Sequence, residues 1–262
     1  MIRVQGLGCR AGGQTLLEGL GFTLEAGQCV AVVGANGAGK STLLRTLSGE
    51  FYQQPHLSLS GEVELAGQDL CRWPLPALAQ RRSFLMQSHA EGLALSVEAL
   101  VALGAYPHGG LRRDQQALLE AELADWELLP LRQRAYATLS GGERQRVQLA
   151  RTRLQIRLHE SATERLWLLD EPLNSLDLPH QQTLRRQLRA QAGEGALVLF
   201  SVHDLNFALR TADTVLALRA GRLLFAGPAQ ELAQPPLLQD IFGTPFICLS
   251  HPVDDQALVL PE

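Results

Sequence analysis

At 262 residues the chain is long enough for one large α/β domain, or for a core carrying a subdomain. Hydrophobic residues make up 46% of it, enough for a sizeable core. The formal charge of −4 argues against the basic face that general nucleic-acid binding needs, so no nucleic-acid partner is expected. Cys9, Cys29, Cys71 and Cys248 are scattered without C-x-x-C spacing, which indicates neither a disulfide framework nor a zinc site and suits the reduced cytoplasm. There is no basic-then-apolar leader, and no window approaches about eighteen uncharged apolar residues. A soluble protein is expected, with any membrane role exerted through a partner.

Ile2-Arg3-Val4 and Thr15-Leu16-Leu17 read as strands either side of Gly12-Gly13, and Leu20–Leu24 as a further strand ending at Glu25-Ala26-Gly27. The apolar run Cys29–Val33 reads as a buried parallel strand. After it comes Gly34-Ala35-Asn36-Gly37-Ala38-Gly39-Lys40-Ser41, which fits G-x-x-x-x-G-K-[ST], the loop that wraps nucleotide phosphates. Ser41–Leu47 opens a helix that ends near Ser48-Gly49. The polar, Pro-containing segment 50–60 reads as a surface loop, Gly61–Ala66 as a strand, and Arg82–Gln87 as a strand ending on Gln87. From Ser88 to Ala150 the pattern is helical, with a Ser96 cap, core-type spacing of Leu118, Leu119, Leu123 and Trp126, and a helix opening at Ser140. Leu166–Leu169 and Leu197–His203 return to buried strands on either side of an Arg- and Gln-rich helix over 177–191. Residues 214–226 read as a hairpin. Pro235, Pro236, Pro245 and Pro252 punctuate a C-terminal tail packed on the core, where His251 reads as a surface residue.

Candidate chemistry follows from these placements. Backbone N–H groups of Gly34, Asn36, Gly37, Ala38, Gly39, Lys40, Ser41 and Thr42 converge on phosphate oxygens at a helix N-terminus. Lys40 reaches the β- and γ-phosphates, and the Ser41 hydroxyl binds Mg²⁺. Asp170 and Glu171 end an apolar strand: Asp170 suits water-mediated Mg²⁺ binding, and Glu171 suits a general base for the attacking water. His203 ends another strand, within reach of the γ-phosphate. Ser140, Gly141 and Gly142 at a helix start form a second phosphate-binding device. One nucleotide needs only one P-loop, so this device is expected to act on a nucleotide held by a second copy of the chain.

Leu139-Ser140-Gly141-Gly142-Glu143-Arg144-Gln145 resembles the signature motif of ATP-binding-cassette (ABC) ATPases, and the order of motifs resembles that family over about residues 1–235. The resemblance implies an α/β fold: a P-loop NTPase core (RecA-like, mostly parallel sheet with an antiparallel β subdomain) plus an inserted helical subdomain. The core would span 1–87 and 151–235, the helical subdomain 88–150, and a C-terminal extension 236–262. By the same resemblance Gln87 senses Mg²⁺ and couples to a membrane partner, Ser175-Leu176-Asp177 forms the D-loop at the seam of a homodimer, and His203 is the switch histidine. ATP is the substrate and Mg²⁺ the cofactor. Two departures stand out. Cys9-Arg10 occupies the spacing of the usual adenine-stacking aromatic, leaving the flat Arg10 guanidinium as a replacement. Leu173-Asn174 replaces the commoner Thr-Ser.

No coiled-coil insertion, second cassette or fused membrane segment is present, so the chain is similar to importer ATPases. These work on the cytoplasmic face of the inner membrane beneath a separate permease dimer supplied by a periplasmic substrate-binding protein. Leu95–Glu98 and Gly104–His108 resemble ATPases serving haem, cobalamin and ferric-siderophore permeases. The link 154–165 and the stretches 171–177 and 203–210 are most similar to vitamin B12 importer ATPases. The 50–60 segment and Tyr106-Pro107-His108 look more like haem importers. Cobalamin is the expected cargo and haem or a ferric siderophore the alternative.

Overall fold

A computed structural model of the chain describes residues 1–86, 94–250 and 257–262; Gln87, His251 and Pro252 lie outside the described residues. Strands β1 (Ile2–Ala11) and β2 (Gln14–Leu24) pair antiparallel about the Gly12-Gly13 turn. β3 (Cys29–Val33) follows, every residue buried, then the P-loop and α1 (Lys40–Leu47). Ser48 closes α1, and Gly49 at φ 83° turns the chain away as expected.

The segment 50–60 is not the surface loop expected. A helical turn covers Glu50–Gln53, and β4 (Leu57–Leu65) begins well before Gly61, pairing Leu57 with Ala11 and Leu59 with Cys9. One face of that stretch meets solvent, so its polar residues conceal a strand. The short β5 (Gln68–Asp69) completes a four-stranded sheet, order β2-β1-β4-β5.

Next come α2 (Leu75–Arg81) and β6 (Arg82–Leu85), then α3 (Val97–Ala102), α4 (Gln116–Asp125) and α5 (Gly141–Arg157). Ser96 caps α3, its Oγ accepting the Ala99 N–H at 3.2 Å. Trp126, at the end of α4, is fully buried and serves the core. Glu122 of α4, also fully buried, meets Arg157 (2.7 Å) and Arg153 (3.5 Å) of α5. Removing both arginines would strand a buried carboxylate, so this cluster fastens the two helices. α5 continues past the 150/151 division to Arg157.

β7 (Leu166–Leu169), α6 (Leu178–Gly193), β8 (Leu197–Ser201), α7 (Leu205–Thr211), β9 (Thr214–Arg219) and β10 (Arg222–Pro228) complete a six-stranded sheet, order β10-β9-β3-β8-β7-β6. All its pairings are parallel except the β9–β10 hairpin. After α8 (Pro235–Phe242), β11 (Phe246–Ser250) pairs antiparallel with β12 (Ala257–Pro261). The Asn206 amide clamps β12 to α7, donating to the Val259 carbonyl at 3.0 Å and accepting its N–H at 2.8 Å. The tail therefore packs on the core.

Alternation along the central strands produces three layers. Cys29, Ala31, Val33, Trp167, Leu169, Val198 and Phe200 face a core shared with α3–α7. Val30, Val32, Leu166, Leu168, Leu197 and Leu199 face a second core shared with α1 and the antiparallel sheet. The fold is thus α/β: a mostly parallel sheet with an antiparallel subdomain on one face and helices on the other. The adjacent C-terminal ends of β3, β8 and β7 carry the candidate residues, where ligands bind in open parallel sheets.

Candidate functional site

A cavity of about 820 Å³ lies at these strand ends, lined by Asn36 to Thr42, Glu171 and His203 together with Gln14–Leu16 and Ala220-Gly221. The backbone conformation of the P-loop depends on glycine at its base. Gly34 has φ 147°, and a Cβ there would lie 2.2 Å from the Leu218 carbonyl oxygen. Gly39, at φ 106°, forms the left-handed cap from which α1 starts. The cavity therefore faces the unpaired N–H groups of a helix N-terminus.

Lys40 is buried, its Nζ donating to the carbonyls of Gly34 (2.8 Å) and Ala35 (3.1 Å). Burial lowers its pKa, and the charges of Glu171 and Asp170 work against that fall. These carbonyls hold the ammonium inside the loop, beside the cavity. Gly34 lies beneath the lining rather than in it.

Glu171 and His203 come together at the cavity wall. His203 Nε2 lies 2.9 Å from Glu171 Oε1, and Asn174 Nδ2 donates to Glu171 Oε2 at 2.8 Å. Burial pushes the Glu171 carboxyl up; the hydrogen bonds from Asn174 and His203, with the positive charges of His203 and Lys40, outweigh it. The group sits below the ordinary glutamate value, ionised and able to accept a proton. Asp170 is almost fully buried, its Oδ1 accepting the Ser201 hydroxyl at 2.6 Å and its N–H donating to the Leu85 carbonyl at 2.9 Å.

The donors near the P-loop suit Mg²⁺ rather than a softer metal. The Ser41 hydroxyl lines the cavity, Asp170 follows β7, separated from the P-loop strand β3 by β8, and both offer oxygen. Among the described residues no group of three His, Cys, Asp or Glu side chains could cage a metal. Mg²⁺ characteristically needs only one or two such groups, taking its remaining ligands from phosphates and water.

Ser140, Gly141, Gly142 and Asp177 do not line this cavity. Ser140 caps α5 in a capping box: its Oγ accepts the Glu143 N–H at 3.3 Å, and its own N–H donates to Glu143 Oε2 at 2.7 Å. Gly141 and Gly142 pack against Ser175. Asp177 caps α6, accepting the His180 N–H at 3.1 Å. Gln145 ties α5 to the loop after Glu171, its Nε2 donating to the Pro172 carbonyl at 3.0 Å. The 139–145 loop is thus anchored to the strand-end loop, and its helix N-terminus does not line the P-loop cavity.

Cys9 and Arg10 are not beside the cavity. Cys9 is fully buried in the second core, and the Arg10 guanidinium reaches the Gly13 carbonyl at 3.3 Å. Gln14, Thr15 and Leu16 stand there instead. The 219–222 turn completes that wall: the Gly221 N–H donates to the Ala38 carbonyl at 2.9 Å, and its carbonyl accepts the Glu18 N–H at 2.8 Å. The Ala220-Gly221 pair was its only sequence signal.

Comparison with known proteins agrees with this architecture. The family model for ABC transporters matches residues 17–174. The chain is 42% identical over 99% of both chains to the hemin import ATP-binding protein HmuV of Pseudomonas aeruginosa. It is 40% identical to the protein of that name from Gloeobacter violaceus, over 100% of this chain and 94% of the relative. Among solved structures, the inward-facing form of an ABC transporter assigned to the metal-chelate type superposes with a TM-score of 0.78 at 25% identity, covering 100% and 97% of the two chains. An ATP-binding subunit of an ABC transporter gives 0.76 at 26% identity over 88% and 91%. Among the described residues no helix is long and apolar enough to cross a membrane. The chain belongs to the ABC transporter family and is an ATP-binding ATPase of that family.

Proposed function

We propose that this chain is the ATP-hydrolysing subunit of a haem importer. Two copies would work beneath a separate membrane permease dimer, peripheral to the cytoplasmic face of the inner membrane, with a periplasmic substrate-binding protein delivering cargo. The observation that carries the cargo is the 42% identity, over 99% of both chains, to a protein named for hemin import. This displaces vitamin B12, the first expectation from the sequence, in favour of the alternative. The ATPase itself does not touch cargo, so the inference is one of family likeness.

In this reading residues 1–235 form a single ABC ATPase domain, with the helical subdomain inserted at 88–150 and the extension from 236. The P-loop amides and Lys40 hold the ATP phosphates, and Ser41 with Asp170 holds Mg²⁺. Bound Mg²⁺ supplies positive charge against the phosphate oxygens and helps orient the γ-phosphate. Glu171 takes a proton from water as its oxygen bonds to the γ-phosphorus; the bond to the β–γ bridging oxygen breaks, leaving ADP and phosphate. His203 holds both the base and the γ-phosphate in register. Ser140, Gly141 and Gly142 of the second copy close over the same phosphate, with Asp177 at the seam. Gln87 links this centre to the permease. ATP favours the closed pair because only that state offers both phosphate-binding devices, and loss of the γ-phosphate removes the preference.

Uptake of radiolabelled haem, cobalamin and ferric siderophore, each offered separately to cells lacking this gene, tests the reading. Loss of haem uptake alone is expected, restored by the wild-type gene but not by Glu171→Gln. Loss of cobalamin uptake alone would move the cargo back, and unchanged uptake of all three would overturn the importer assignment.

A further inference from the structure

We infer that Ser201 is a positioning residue for hydrolysis, a single buried hydroxyl that holds Asp170 and Glu171 in one frame. The inference rests on the reading of Glu171 as the base. Ser201 ends a strand otherwise made of Leu197, Val198, Leu199 and Phe200, and it is fully buried. A hydroxyl in such a place is costly unless its hydrogen bonds are made. Here it bonds twice, accepting the Glu171 N–H at 2.8 Å and donating to Asp170 Oδ1 at 2.6 Å.

The acceptor role matters because of the Glu171 backbone, which has φ 49°, in the left-handed region that residues with a Cβ disfavour. That conformation persists only where the surroundings hold it. Ser201 holds its N–H side, and on the carbonyl side the Asn174 N–H closes a turn at 3.2 Å. The preceding residue is fixed from the opposite strand, the Asp170 N–H bonding to Leu85 of β6 at 2.9 Å. The two consecutive carboxylates are therefore suspended between β6 and β8. Without the hydroxyl, the Glu171 N–H loses this acceptor and Asp170 Oδ1 loses its donor. The base and the Mg²⁺-side carboxylate then lose a group that bonds to both of them.

Positioning and simple packing predict different results for Ser201→Ala, Ser201→Cys (similar volume, poor hydrogen bonding) and Ser201→Thr (hydroxyl retained). We expect kcat to fall about tenfold or more in S201A and S201C. KM for ATP and affinity for a fluorescent ATP analogue should stay within about threefold of wild type, because the phosphate cradle is intact. The Mg²⁺ concentration giving half-maximal turnover should rise severalfold, and S201T should recover most of the lost rate. If S201A does not fold, S201C carries the comparison. The inference is overturned if the hydroxyl-lacking variants keep wild-type kcat and Mg²⁺ requirement, or if S201T is as impaired as they are with KM rising in parallel. Glu171→Gln assayed alongside separates the two levels. An active E171Q overturns the base assignment and this inference with it, whereas an inactive E171Q beside an unimpaired S201A overturns the inference alone.

Discussion

Gly141 and Gly142 are adjacent in sequence, yet the structure sets them apart. A Cβ on Gly141 would lie 3.5 Å from the Ser175 hydroxyl oxygen, an ordinary contact, whereas one on Gly142 would lie 2.7 Å from the Ser175 carbonyl oxygen. Relief requires a shift of about 0.5 Å in backbone, and Ser175 already occupies φ 65° in a loop whose Glu171 is also left-handed. Overpacking of this kind costs about 1–3 kcal/mol. The helix-propensity gain of alanine over glycine, up to about 1 kcal/mol, offsets part of it and applies at both positions. Gly142→Ala should therefore be about 1–3 kcal/mol less stable than Gly141→Ala. At roughly 2–4 °C per kcal/mol the melting temperatures should differ by several degrees. Because the proposed cycle places the displaced segment at the dimer seam over the phosphate, ATP turnover of G142A should also fall, by about tenfold, while nucleotide affinity at the P-loop holds. Thermal denaturation and steady-state ATPase assays on both variants decide the matter. A G142A protein as stable and as active as G141A would refute the close approach of Gly142 to Ser175.

Two further results are expected. Asn174→Ala removes a donor that favours the ionised Glu171 carboxylate, so the acid limb of the kcat–pH profile should move upward; an unmoved limb would detach Asn174 from the base. Glu143 is held below the ordinary carboxylate range, first by the Ser140 N–H. Its stabilisation of α5 is present above the unfolded value of about 4.3 and lost as pH falls through the lower folded value. Chemical denaturation from pH 7 to pH 3 should therefore show Glu143→Gln destabilised at neutral pH with the gap closing in acid; a constant gap would contradict the capping charge.

The legible parts of the fold were those carried by local pattern. The apolar runs at Cys29–Val33, Leu166–Leu169 and Leu197–Phe200, the P-loop spacing and the helix start at Ser140 each announce their own structure. Placement that depends on distant residues was not legible. β1 shifts register against β2 between Val4 and Arg10, and each single-residue slip exchanges the faces of the strand. That is why Cys9 ends in the core and Arg10 away from the cavity, and why Gln14–Leu16 line it. β4 owes its early start to β1, some fifty residues away in sequence. Ser201 reads only as one position within the strand Leu197–His203, and only the parallel pairing of β7 with β8 brings it to Asp170 and Glu171. Asn174 registered as a departure from the usual motif, but its bond to Glu171 follows from the turn between them.

In the proposed cycle the site around ATP on the P-loop of one copy is completed by the signature loop of another, and the nucleotide is hydrolysed through Glu171. Sedimentation of Glu171→Gln protein, with and without saturating Mg²⁺–ATP, tests it most directly. Nucleotide-dependent conversion of monomer to dimer, reversed on exchange for ADP, is expected. A protein that binds ATP yet remains monomeric would contradict the account.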